Sequence, residues 1–117
     1  LEPELVASDK SLDLVESDLD VAVHAGELTD SSYRALPVGT MKEIFCATPL
    51  FLNRTSRPET VEELSDLPWI STGWQQAKAS VLDVHSNEKS NIHLKQVARV
   101  NTLPSALELS RRHLGMV

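Results

Sequence analysis

The sequence has 117 residues, 41% of them hydrophobic and 24% charged, which fits one ordinary domain or a piece of a larger protein. Four glycines and six prolines are too few for low-complexity disorder, and no apolar run approaches the roughly 20 residues of a membrane-spanning helix. Charge is uneven: residues 1–32 carry nine acidic side chains against Lys10 alone, whereas residues 33–117 carry eight acids and ten bases. Since neither part has a clustered basic stripe, we expect no direct DNA binding by this chain.

The first 38 residues predict a strand, a short helix and further strands. "ELVASD" (4–9) is typical of a short strand, and "KSLDLVESD" (10–18) has the apolar spacing of a short amphipathic helix. The near-continuous apolar run in "DLDVAVHAG" (18–26) favours a strand that is covered on both faces, as in a parallel sheet. These three segments predict a βαβ unit, and "SYRALPV" (32–38) predicts one more strand.

Two helix starts are marked in the middle of the chain. Thr48 followed by Pro49 is typical of a helix start, because proline is favoured in the first turn. Thr60 and Glu63 have the spacing of a capping box. The predicted elements here are a strand at 43–49, a helix at 49–53, a helix at 61–67 that Pro68 ends, and strands at 69–71 and 81–84.

The last third predicts a turn, a strand and the clearest helix of the chain. "SNEKSN" (86–91) has the composition of a turn, and apolar residues alternate through 92–100 as in a strand. The helix has Thr102 as its N-cap, arginines in its last turn and Gly115 as its C-cap, and "MV" then begins another strand. The whole order predicts an α/β fold.

Little in the sequence indicates catalysis or metal binding. Cys46 is the only cysteine, and its apolar neighbours predict a small buried side chain. A nucleophilic Cys46 would need a histidine partner that the sequence does not identify. The histidines lack the spacing of a metal site, so we expect neither metal nor cofactor. A single thiol without an export signal favours a cytoplasmic location. The four histidines are His24, His85, His93 and His113.

Short polar residues stand at three strand-to-helix junctions, Ser8–Asp9, Thr48–Pro49 and Asn101–Thr102. In open parallel sheets, ligands bind outside the carboxyl ends of the strands, where such junctions lie. The free N–H groups and positive dipole of a helix N-terminus favour a carboxylate or phosphate there. The alternative is that these residues only cap helices. Ser71 and Thr72 are weaker candidates, for which a strand-end turn is the alternative.

Three long strings resemble the effector-binding domain of the LysR-type transcriptional regulators. They are "ELVASDKSLDLVESDLDVAVHAGELTDSSYRALPVG" (4–39), "EIFCATPLFLNRTSRPETVEELSDLPWIS" (43–71) and "VNTLPSALELSRRHLGMV" (100–117). The resemblance covers essentially the whole chain and is weakest over 73–91. It implies a type II periplasmic-binding-protein-like architecture of two lobes, truncated at both ends. Residues 1–38 would be part of the first lobe, and residues 39–117 a nearly complete second lobe.

The resemblance also implies a function without catalysis. A small polar or anionic effector would lie between the lobes, and DNA would be bound only through a helix-turn-helix domain outside this chain. Copies of the protein are expected to associate as dimers or tetramers, and no membrane partner is expected. The alternatives are a solute-binding protein of the same two-lobe fold and an enzyme that uses Cys46. The predicted effector-binding residues are Ser8, Gly26, Thr48, Ser71, Thr72, Asn101 and Thr102.

Overall fold

The computed structural model of the chain describes residues 2–10, 12–26 and 34–117. The chain divides into two compact units, Leu1–Ile44 and Phe45–Val117. All helices and strands assigned to the described residues lie in the second unit. They are α1 (Pro49–Thr55), a 3-10 helix (Glu62–Asp66), β1 (Pro68–Ser71), β2 (Lys78–Leu82), β3 (Lys89–His93), β4 (Lys95–Arg99) and α2 (Leu103–Arg111).

A small parallel sheet forms the centre of the second unit. β1 pairs with β4 in parallel, with a register shift between Trp69 and Ile70. On the other edge of β1, Met116 donates to the Pro68 carbonyl at 2.9 Å and accepts from the Ile70 amide at 2.8 Å. The predicted strand at the end of the chain is therefore a single parallel bridge between Met116 and Trp69. Pro68, expected only to end a helix, begins β1, a strand position that proline tolerates.

Residues 92–100 form two strands rather than the one that was predicted. β3 pairs antiparallel with β2, whereas β4 pairs with β1 in the other sheet. Leu94 lies between β3 and β4, and its amide donates to the Ala77 carbonyl at 2.7 Å. Ile92 and Leu94, which alternation places on the same side, are both buried. The pattern of side chains cannot reveal that the backbone changes partner at Leu94.

The core of the second unit lies on both faces of β1. Because successive side chains of a strand point to opposite faces, Trp69 and Ile70 belong to different clusters. Ile70 packs with Ala106 of α2 on one face. Trp69 lies on the other, in a cluster with α1, the hairpin of β2 and β3, and the chain just before β1; its buried members are Phe51, Leu67, Trp69, Ile92, Leu94 and Met116.

Gly115 has a different role from the predicted helix cap. The C-cap of α2 is Arg112, and His113, with φ of 62°, is the residue that takes the left-handed conformation. A Cβ atom on Gly115 would lie 2.8 Å from the Pro68 carbonyl oxygen and 3.1 Å from the Ile70 side chain. Glycine therefore allows the chain after α2 to run directly beside β1.

The first unit has turns but no assigned helix or strand among residues 2–10, 12–26 and 34–44. The predicted helix at 10–18 is a turn at 14–18, in which Leu19 N–H donates to the Leu14 carbonyl at 2.9 Å. The predicted strands at 4–9 and 18–26 are not formed, so the predicted βαβ unit is wrong there. The predicted strand at 32–38 falls partly outside the described residues, and its described part, 34–38, is not a strand.

The predicted strand at 43–49 is also not assigned. Within it, Cys46 and Val117 exchange two backbone hydrogen bonds of 2.7 and 2.9 Å, which attach this segment to the end of the chain. The Cys46 side chain is exposed, so the prediction that it is buried is wrong.

Candidate functional site

The carboxyl end of β1 carries two buried hydroxyl groups, on Ser71 and Thr72. Ser71 Oγ donates to Gln96 Oε1 at 3.0 Å, across the strand pair. The Thr72 amide donates to Gln75 Oε1 at 2.9 Å. Thr72 Oγ1 has no hydrogen-bond partner among the described residues, although the residue is 0% exposed. Leaving a buried polar atom unpaired costs about 1–3 kcal/mol, so this hydroxyl is the least satisfied polar group at the strand end.

The start of α2 lies beside this strand end. The Val100 amide donates to the Ser71 carbonyl at 2.9 Å, and a Cβ atom on Gly73 would lie 4.0 Å from the Cα of Asn101. Thr102 caps α2, since its Oγ1 accepts from the Ser105 amide at 3.3 Å. In the first turn of α2, Pro104 has no N–H and the amides of Ser105 and Ala106 are bonded to Thr102, so the helix start offers mainly the positive end of its dipole. Together these groups suit a small molecule with a polar or negatively charged group.

Thr48 lies at the opposite end of α2. Its Oγ1 caps α1 by accepting from the Phe51 amide at 3.3 Å, and it is 2.6 Å from Nδ1 of His113. His113 follows the last turn of α2, whereas Thr102 precedes the first. Nine helical residues rise roughly 13 Å at about 1.5 Å each. The structure therefore does not bring Thr48 together with Thr102, and a ligand contact of Thr48 remains a prediction.

The two remaining predicted residues lie in the first unit. Ser8 Oγ accepts from the Lys10 amide at 3.1 Å, which is a local turn interaction on an exposed segment. Gly26 has φ of 108°, a backbone conformation that favours glycine. Of the seven predicted residues, the structure brings four together: Ser71, Thr72, Asn101 and Thr102. Their contact with a ligand also remains a prediction.

Sequence reasoning did not single out Gln96 or Arg99. Gln96 bonds Ser71, and Arg99 Nη2 donates to the Gly73 carbonyl at 2.6 Å. Both contacts depend on how β4 aligns with β1, including the register shift after Trp69. A single strand prediction over 92–100 contains no signal for that alignment.

Other candidate chemistry is limited in the described part of the chain. No group of three or more His, Cys, Asp or Glu residues there could hold a metal ion. Trp69 is buried, with an indole N–H that has no partner among the described residues, whereas Trp74 is 45% exposed beside Gly73. None of the described helices is long and apolar enough to cross a membrane.

The second unit has an α/β fold, and comparison with known proteins gives the family of the chain. The family model described as "LysR substrate binding domain" matches residues 1–117. The chain belongs to this family, and the resemblance to the effector-binding domain of LysR-type regulators is confirmed. The type II periplasmic-binding-protein-like class of the domain is confirmed with it.

Individual relatives agree with the family. The chain is 36% identical over 61 residues to the HTH-type transcriptional regulator CrgA of Neisseria meningitidis, covering 52% of this chain and 20% of that protein. It is 33% identical over 66 residues to the HTH-type transcriptional activator AaeR of Escherichia coli K12, covering 56% of this chain and 21% of that protein. The matched stretch is thus about a fifth of each relative.

A solved structure is similar to this chain in its fold. The crystal structure of a variant of full-length AphB superposes with a TM-score of 0.69 and 25% sequence identity. The superposition covers 90% of this chain and 35% of the AphB chain.

Proposed function

We propose that the chain senses a small effector on behalf of a LysR-type transcriptional regulator. Residues 1–38 would belong to a first lobe and residues 39–117 to a second, with the effector between them. Binding would alter how a helix-turn-helix domain outside this chain holds DNA. The family match over all 117 residues supports this role, as do the names of the relatives. They also favour a regulator over a solute-binding protein.

The unpaired hydroxyl of Thr72 is the observation that best supports an effector site in the second unit. The residue follows the strand that runs beside the start of α2, so a ligand there would meet a hydroxyl, the Asn101 side chain and the positive end of the α2 dipole. Ser8 and Gly26 would contribute from the first lobe. This set of groups suits a small polar or anionic molecule and needs no cofactor.

The remaining parts of the proposal concern the whole protein. The effector would be bound without being transformed, because the family and the relatives are named for regulation rather than for a reaction. The protein would act in the cytoplasm, where its DNA is. Copies would associate, since the apolar side chains of Val21, Val23 and Leu36 are exposed and pairing would cover such a surface. A strict monomer in light scattering at high concentration would contradict self-association.

The test begins with a ligand screen on the complete regulator. Thermal shift against a set of small carboxylates and neutral polar molecules should identify a binder, because a ligand at 100 times its Kd stabilises a protein by about 2.7 kcal/mol. The binder should also change the affinity of the regulator for its DNA. If no small molecule stabilises the regulator or alters its DNA binding, the proposed function is wrong.

Thr72→Val then distinguishes an effector contact from a structural role. Valine removes the buried hydroxyl at similar size, so the free protein should gain about 1 kcal/mol in its free energy of unfolding. The affinity for the effector should fall by roughly 1–2 kcal/mol. Calorimetry and thermal unfolding measure the two effects, whose opposite directions cannot come from a destabilised fold.

Three further threonines complete the experiment. Thr102→Val should lower the affinity for the effector, as Thr72→Val does. Thr60→Val is the matched control, because Thr60 Oγ1 also accepts a helix-start amide, that of Glu63 at 3.4 Å, far from any predicted site residue in the sequence. Thr48→Val tests the one predicted residue that lies at the other end of α2. Equal effector affinity in the Thr72, Thr102 and Thr60 variants would mean that the hydroxyls are not effector contacts.

A further inference from the structure

We draw no further inference here: the strongest candidate, the cavity of about 400 Å³ between the end of α1 and the 3-10 helix, rests on the cluster of acidic side chains of Glu59, Glu63 and Asp66, and nothing else among the described residues points to a ligand there.

Discussion

The two units of this chain contain similar apolar runs but differ in how those runs are covered. In the second unit, Trp69 and Ile70 of β1 are 2% and 0% exposed. In the first unit, Val21 and Val23 lie in an equally apolar run and are 80% and 84% exposed. β1 has a hydrogen-bonded neighbour on each edge and a packed cluster on each face, whereas the run at 18–26 has no assigned strand partner among the described residues.

This difference shows that a buried strand depends on its surroundings more than on its own sequence. A near-continuous apolar run is typical of a strand covered on both faces, but the covering elements must be present. Apolar burial stabilises by roughly 25 cal/mol per Å² removed from water, and an uncovered run gains none of it. The second unit should therefore carry almost all of the free energy of unfolding of this chain.

The same substitution in each unit tests that conclusion most strongly. Leu94 is 2% exposed and Leu5 is 92% exposed. Leu94→Ala should lower the free energy of unfolding by about 2–5 kcal/mol, because it leaves a cavity in the core. Leu5→Ala should change it by less than about 0.5 kcal/mol. Urea unfolding measures both, and comparable losses in the two variants would show that the first unit has a core of its own.

Two glycines provide a second matched pair with a smaller expected effect. Gly115→Ala places a methyl group 2.8 Å from a backbone oxygen of β1, which should cost about 1–3 kcal/mol through overpacking. Gly39 in the first unit has open space around its Cβ position and no positive φ. Gly39→Ala should therefore be neutral, or stabilising by up to about 1 kcal/mol through the unfolded state. Thermal unfolding of the two variants decides the matter, and a stable Gly115→Ala would mean that the chain beside β1 can shift.

Local rules predicted the helix starts of the second unit but not its pairings. Thr48 with Pro49 and the N-cap Thr102 mark the starts of α1 and α2 correctly, because capping involves residues only three apart. The division at Leu94 and the role of Gly115 depend on β1, which is distant in sequence. Such contacts leave no local pattern, and for that reason both were misjudged.

The candidate site shows the same limit. Thr72 and Thr102 were predicted as candidates from their positions after a strand and before a helix. Their proximity, and the presence of Arg99 beside them, follow from the parallel pairing of β1 and β4. Thr48 fits the same local rule as Thr102 but lies at the other end of α2, so local position alone did not separate the two.

One local structure occurs in both units and allows a final comparison. Asp13 Oδ1 accepts from the amides of Val15 and Glu16 at 2.8 and 3.0 Å. In the second unit, Asp83 Oδ1 accepts from the amides of His85 and Ser86 at 2.8 and 3.4 Å. The turn at Asp83 joins β2 to β3, so protonation of the Asp83 carboxylate can affect the paired strands. The turn at Asp13 joins no strands among the described residues.

Asp83→Asn should remove a small pH dependence of the stability of the β2–β3 turn. The hydrogen bond from the His85 amide lowers the pKa of Asp83 below its ordinary value of 3.8, and the hydrogen bond from the Ser86 amide adds a smaller effect in the same direction. These bonds favour the charged form, so their stabilisation is complete above pH 3.8 and is lost as the pH falls through the lower pKa of the folded protein.

Amide chemical shifts of β2 and β3, followed from pH 6 down to about 2, should report this transition at Asp83. Asparagine keeps the accepting oxygen but does not titrate, so the transition should disappear in Asp83→Asn and persist in Asp13→Asn. A transition that persists in Asp83→Asn would assign the acid response of the hairpin to another group.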